Sequence, residues 1–311
     1  MSEDLILHHY SMSPFAEKIR LAMGVKNLKW RSVLVEQAPP RPLFEALTGG
    51  YRRVPVLQVG ADIYCDTHLI LRAIDRLQPG SSSIFANSAI QPICWWWDKA
   101  TFMPVVRLWA GLCGDNLPQA FLDDRKTFTG GPSLSKKDNE AEVLLNAQRI
   151  KAHLAWIKEM LTDANPFLLG SASPSALDLT VYHTLWFAKT NGGPELAVLL
   201  PELFQSGPLL SWFERVAALG HGTSEEMTPE QAFEVAKKSE PIEPIYIQSG
   251  SDSEWPIGQR LRITPDDMGR VPVEGMLVAV DQHEIVLRLS ETKAGNVNVH
   301  FPRAGFDVVP F

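Results

Sequence analysis

Cysteine is scarce in this chain: three in 311 residues, Cys65, Cys94 and Cys113, an odd number with no C-x-x-C pair. That argues against a disulfide framework or a cysteine-held zinc cage and fits a reducing compartment. No uninterrupted apolar span of about 20 residues occurs, so no membrane-spanning helix is expected. The first apolar run is short and follows Glu3 and Asp4, so no signal peptide is expected either. A basic surplus is also missing. The formal net charge is -7, acids and bases are interspersed, and no basic arm appears, which argues against non-specific nucleic-acid binding. Internal repeats and low-complexity tracts are absent. With 45% apolar residues the chain has material for two or three cored domains, and it is expected in the cytoplasm.

Three zones follow one another. In residues 1–82, strand-like runs at 5–9, 29–35, 54–59 and 63–64 alternate with helix-like stretches at 15–24 and 67–77, interrupted by a loop holding Pro39, Pro40 and Pro42. The order is β-α-β then β-β-α, a mixed sheet flanked by helices. A Pro-Gly-Ser stretch at 78–83 reads as a linker. Residues 84–238 carry helical periodicity at 90–112, 139–161, 176–188 and 209–219, which predicts a helical bundle. Thr228-Pro229-Glu230-Gln231 has the signature of a helix start and is expected to close that zone. Residues 240–311 change to a period of two. Runs at 245–248, 259–263, 275–280, 284–289, 297–301 and 306–309 predict five or six strands, with a hairpin turn at 280–284, in a small all-β domain of barrel or sandwich type.

Three constellations in the first zone carry chemistry. Ser11-x-Ser13-Pro14-Phe15 places a hydroxyl where a strand gives way to a helix. The exposed N–H groups and partial positive charge of a helix start stabilise an anion, including a thiolate, although Ser13 equally reads as a plain cap. Arg53-Val54-Pro55-Val56-Leu57 sets a proline at the mouth of a strand, either as an edge residue or as a cis peptide that turns the Val54 backbone towards an extended ligand. Asp66-Thr67 opens a second helix, where the pair serves as a cap or as a site for a carboxylate and an ammonium group.

Taken in order, S-P-F-A-E-K-I-R, then R-V-P-V-L about 40 residues on, then D-T, resemble the thioredoxin-like N-terminal domain of cytosolic glutathione transferases. The helical second zone resembles that superfamily as well. Phe167-Leu168-Leu169-Gly170 followed by Ser175-Ala176-Leu177-Asp178 looks like the family's buried N-capping box. The resemblance covers about residues 4–220 and implies α/β plus all-α architecture: a thioredoxin-like domain at 1–82 and a helical-bundle domain at 84–238. The all-β zone at 240–311 departs from the family plan, as a lid beside the site, a dimerisation element or a docking module.

By resemblance, Ser13 hydrogen-bonds the sulfur of glutathione, with Ser11 as its rival. Phe15 borders the site, and Val54 offers its backbone to the cysteinyl part, with Pro55 cis. Asp66 and Thr67 hold the γ-glutamyl ammonium and carboxylate, and Arg53 reaches for the glycyl carboxylate. A thiol of pKa about 8.5 is only a few per cent thiolate at pH 7. Raising its acidity about a hundredfold needs roughly 2.7 kcal/mol, which one charge-assisted hydrogen bond and a helix terminus supply without a metal. Because position 13 is Ser, mixed-disulfide chemistry is not expected, and Cys65 stands in the wrong place to replace it. Trp96, Phe102, Val106 and Trp109 either line an apolar pocket for an electrophile or simply fill the bundle. His8-His9 alternate across a strand, and Asp266-Asp267 reads as a solvated turn, so neither predicts a metal site. The resulting expectation is a homodimeric, cytoplasmic glutathione transferase acting on a small electrophile, with glutathione as co-substrate and without metal, nucleic-acid or membrane partners. The alternative is a non-catalytic glutathione-binding protein that docks through its β-rich tail.

Overall fold

Strand β1 (Leu5–His9) is buried along its whole length, as a strand covered on both faces must be. In the computed structural model, which describes residues 4–161, 165–243 and 254–311, it is followed by α1 (Pro14–Val25), β2 (Lys29–Leu34), α2 (Pro42–Thr48), β3 (Val56–Val59), β4 (Asp62–Cys65) and α3 (Thr67–Leu77). β1 runs parallel to β2 and antiparallel to β3, which runs antiparallel to β4. This is the predicted β-α-β, β-β-α order with one addition. Helix α2 falls in the proline-rich loop because Pro42 sits near the helix start, where its missing N–H costs nothing, while Phe44 and Leu47 are buried.

Among the described residues, eight α-helices come next: α4 (Ile90–Ala100), α5 (Phe102–Cys113), α6 (Gln119–Thr129), α7 (Lys136–Asn139), α8 (Val143–Met160), α9 (Ala176–Asn191), α10 (Gly193–Leu199) and α11 (Pro208–Ala217). The chain then forms β5 (Thr223–Glu226), α12 (Pro229–Lys238), β6 (Arg260–Pro265), β7 (Val273–Val280), β8 (Glu284–Thr292), β9 (Gly295–Pro302) and β10 (Phe306–Pro310). The strand predicted at 245–248 lies outside the described residues. Two compact units result: one contains Met1–Ile19, Leu28–Arg76 and Gly222–Phe311, the other Arg20–Asn27 and Leu77–His221.

Among the described residues of the first unit, all ten strands join one sheet in the order β10-β6-β7-β8-β9-β4-β3-β1-β2-β5. The sequence predicts a small all-β zone of barrel or sandwich type at 240–311, and its β-rich character is present; its five described strands also continue the first sheet through a parallel junction of β4 with β9, Asp62 opposite Asn298 and Tyr64 opposite His300. Alternation marks which face of a strand is apolar but not which edge it pairs with. Both zones also share a core, in which Tyr51, Val56 and Ile63 pack with Leu277, Leu287 and Phe301. Each such side chain contributes about 1.5–3 kcal/mol through burial.

A buried polar network seals the junction. Asp62 Oδ1 accepts from His300 Nε2 at 2.9 Å and Asn298 Nδ2 at 3.0 Å, and its Oδ2 accepts from the Ile242 N–H at 2.8 Å. His300 Nδ1 donates to Glu284 at 2.5 Å, and Arg76 donates to the same carboxylate at 2.8 Å. Burial opposes the charge on His300, but its two carboxylate partners overcome that and raise its pKa. Burial likewise opposes the charge on Glu284, but His300 and then Arg76 hold it down to about 2.

Helix α12 was expected to end the helical zone, yet it belongs to the first unit. Thr228 and Gln231 cap its start reciprocally. Ala232 then packs with Ile6 and Val33, and its carbonyl accepts from Gln58 Nε2 at 2.9 Å. A helix start is legible in four residues; the surface it covers is not. Strand β5, exposed throughout, adds parallel to β2 through its backbone and an ion pair of Glu225 with Arg31, and its Thr-Ser-Glu-Glu sequence has no apolar alternation that predicts it.

In the second unit the predicted capping box opens α9. The Asp178 carboxylate accepts from the N–H groups of Ser175 and Leu168, each at 2.9 Å, from Ser175 Oγ at 2.7 Å and from Trp212 Nε1 at 2.8 Å. One buried side chain thus ties together α9, the turn before it and α11. Gly24 lies against the Gly220 backbone so closely that a Cβ would meet the Gly220 carbonyl oxygen at 2.0 Å.

Candidate functional site

Ser13 is buried, 1% exposed, immediately before α1, whereas Ser11 is exposed in the preceding turn. Its Oγ accepts from the Ala16 N–H at 3.1 Å, so the cap reading is correct as far as it goes. A hydroxyl also carries one hydrogen to donate, and accepting the cap bond leaves that hydrogen available. Pro14 follows at the first helical position, and Phe15 is half-buried, 5.3 Å from Lys18 Nζ.

Asp66 and Thr67 are brought to the first turn of α3. Asp66 has φ 71, a left-handed conformation that Asp tolerates better than most residues. Its Oδ1 accepts from the His68 N–H at 3.0 Å as a helix cap. Thr67, 5% exposed, accepts at its hydroxyl from Lys18 Nζ at 3.1 Å. Sequence reasoning did not single out Lys18. A lysine among Glu17 and Arg20 on a helix reads as solvated, yet its side chain is fully buried, and no signal in a single sequence separates the two cases.

The Val54–Pro55 peptide is cis, and β3 begins only at Val56, so the Val54 backbone lies outside its ladder. Arg53 was expected to reach for a ligand carboxylate. The structure gives it other partners: Nη1 lies 3.7 Å from Asp66 Oδ2, Nε donates to the Met268 carbonyl at 2.9 Å, and Nη2 pairs with Asp267. Asp267, read as a solvated turn acid, is therefore engaged in an ion pair more than 200 residues away in sequence. Arg53 joins the beginning and the end of the chain at this point.

The remaining residues of the first zone take structural parts. His8 Nε2 donates to Gln58 Oε1 at 2.7 Å, and burial lowers its pKa to about 4 despite that bond, so it stays neutral. His9 bonds Ser32 on the other face, at 2.9 Å. Cys65 is fully buried, and burial, reinforced by Asp66, pushes its thiol well above the ordinary value, which leaves it without thiolate character. Among the described residues no group of three or more His, Cys, Asp or Glu is placed to hold a metal ion, and no helix is long and apolar enough to cross a membrane.

Within the helical unit, Phe102, Val106 and Trp109 of α5 gather in one apolar cluster with Leu122 and Phe187. Trp96 stands apart, in an aromatic group with Trp97, His153 and Trp156. Trp97 is filler, fully buried with its Nε1 donating to Thr184 at 3.2 Å.

Residues 7–82 match the family model of the glutathione S-transferase N-terminal domain, and residues 140–218 match that of the C-terminal domain. Among solved structures, a GST-like protein from Pseudomonas syringae is 32% identical, with a TM-score of 0.79 over 100% of both chains. That neighbour spans the C-terminal strands as well. A rice glutathione transferase in complex with glutathione shares the fold at 17% identity and TM-score 0.50, over 75% of this chain and 96% of its own. A variant of glutathione transferase F1 from poplar does so at 10% identity and TM-score 0.52, over 76% and 99%. No curated protein matches the chain. With both domain models matched in chain order and a full-length relative at 32% identity, the chain belongs to the cytosolic glutathione transferase superfamily.

Proposed function

We propose that the protein is a glutathione transferase of the serine type, in which Ser13 stabilises the thiolate of bound glutathione for attack on a small apolar electrophile. The observation that carries the reading is the Ser13 hydroxyl at the start of α1, whose oxygen caps Ala16 while its hydrogen stays available to a sulfur anion. The helix start adds its partial positive charge. Thr67, with the Lys18 ammonium on its hydroxyl, suits the γ-glutamyl carboxylate, and Asp66 suits the γ-glutamyl ammonium. Val54 offers its backbone to the cysteinyl peptide. On this reading the thiol proton leaves to solvent and the sulfur lone pair forms a bond to the electrophilic carbon. The displaced group departs with its electron pair, or the new carbanion takes a proton. Phe102, Val106 and Trp109, with Trp96 as a further candidate, are proposed to take up the electrophile's apolar surface. The working form is proposed to be a cytoplasmic homodimer.

Replacing Ser13 by Ala tests the reading. Conjugation of glutathione to an aryl halide should fall about 10- to 100-fold, the worth of one charge-assisted hydrogen bond, while the fold is kept. The pKa of bound glutathione, read from thiolate absorbance, should rise in parallel. Undiminished turnover in Ser13→Ala, with loss in Ser11→Ala instead, reassigns the sulfur contact to Ser11.

A further inference from the structure

The C-terminal strands are more than an appendage to the sheet, because one of their loops reaches the Asp66 carboxylate through Arg53. We infer that Asp267 is a positioning residue for the amine end of the ligand: it holds Arg53 beside Asp66 without letting the two close, and it thereby withdraws Arg53 from reading a ligand carboxylate. The inference rests on the glutathione reading.

Geometry supports this step by step. A guanidinium has a rigid fork of five N–H donors and no acceptor. Here Nε and Nη2 are taken by the Met268 carbonyl and the Asp267 carboxylate, both in the connection between β6 and β7. The side chain also lies over the Phe306 ring, 5.8 Å from its centroid, so it is held on a second side by the tail. Only Nη1 faces Asp66, at 3.7 Å. A closed charge-assisted pair sits at about 2.7–2.9 Å, so Arg53 screens Asp66 without saturating it. Asp66 Oδ2 retains its capacity to accept from an ammonium group.

Charge points the same way. Asp66, Asp267 and Arg53 sum to one negative charge in a largely buried place, with side-chain exposures of 17%, 29% and 18%. A site of that sign favours a cation, and the cationic part of glutathione is its γ-glutamyl ammonium. Beside the cluster stands a second polar group. The Tyr51 hydroxyl is fully buried with no hydrogen-bond partner among the described residues. It lies within electrostatic reach of Arg53, Asp66 and Asp267. Burial, opposed by Arg53, raises its pKa well above 10.0, so it keeps its hydrogen. Its ring rests against Phe301 and Phe306 of the tail. The tail therefore supplies both the packing beneath this corner and the acid that sets its charge.

The test uses titration calorimetry on the full chain with glutathione, glutathione lacking the γ-glutamyl amine, and glutathione amidated at its glycyl carboxylate. On the unaltered chain, removing the amine should weaken binding about tenfold or more, and amidation should change it less than about threefold. In Asp267→Asn, Arg53 is released onto Asp66. Glutathione affinity should then fall about tenfold, the amine-free analogue should bind as it does to the unaltered chain, and in turnover the loss should fall on KM and not on kcat. Asp267→Glu should recover most of the affinity. A tenfold penalty for amidation that Arg53→Gln abolishes would show that Arg53 reads the glycyl carboxylate and overturn the inference, and this arm does not depend on Asp267→Asn folding. Equal losses for glutathione and the amine-free analogue in Asp267→Asn overturn it too. If the unaltered chain binds glutathione but Asp267→Asn binds it equally well, only the inference falls. If the unaltered chain binds none, the glutathione reading falls and takes the inference with it.

Discussion

Replacing Glu284 by Gln removes one charge from the network that fastens β9 to β4 while keeping the shape of the side chain. Glu284 is 1% exposed and sits between His300, at 2.5 Å, and Arg76, at 2.8 Å. A carboxyl carried from its ordinary 4.5 down to about 2 is worth about 3 kcal/mol of folding free energy, at ~1.4 kcal/mol for each tenfold change in proton affinity. Glu284 has a lowered folded-state pKa, so its contribution is present above pH 4.5 and lost as pH falls towards 2. His300 has a raised one, so its contribution is whole below pH 6.5 and fades as pH rises through the folded-state value. The pair therefore stabilises most between pH 4.5 and 6.5. Urea unfolding of the full chain at pH 5.5, with hydrogen exchange of the β9 amides as a local readout, should show a loss of about 3 kcal/mol in Glu284→Gln. As pH falls from 4.5 towards 2 the two proteins should converge, because protonation then progressively removes from the parent the charge that the variant lacks. A variant within about 0.5 kcal/mol of the parent at pH 5.5, or one that keeps the parent's acid slope, would show that Glu284 does not fasten β9 to β4 through its charge.

Asp178→Ala should cost about 3–5 kcal/mol and lower the melting temperature by about 10 °C in calorimetry, since four donors lose their acceptor in a buried place. Asp178→Asn, which keeps the shape and part of the acceptor capacity, should cost less. Gly24→Ala should destabilise by at least about 2 kcal/mol, because the new Cβ meets backbone at 2.0 Å and 2.6 Å that cannot give way. Gly80→Ala, with nothing within 4 Å of its Cβ, is the neutral control in the same denaturation series.

Local signals carried a good deal of this. Pro14 and Pro55 mark the entries to α1 and β3, and five of the predicted tail strands appear within a few residues of their expected bounds. Ser175 and Asp178 form the box that their spacing of three implies, because a capping box is a contact between neighbours in sequence. Helix α2 hid in a proline-rich stretch, and β5 hid because a strand held by its backbone and an ion pair needs no apolar pattern. The partners of Arg53 were illegible for another reason. Asp267 and Met268 are more than 200 residues away, and nothing in either neighbourhood encodes the meeting.

The family and the residues of its motifs are legible along the chain, for both rest on short patterns whose physics is local: a cap, a proline at a strand mouth, an acid and a hydroxyl opening a helix. The company those residues keep comes from long-range packing. Lys18 is buried against Thr67, α12 lies with Ile6 and Val33, and the tail strands continue the first sheet from β4. Alternation and helical period state which face of an element is apolar. Which other element covers that face is settled by the whole chain folding at once.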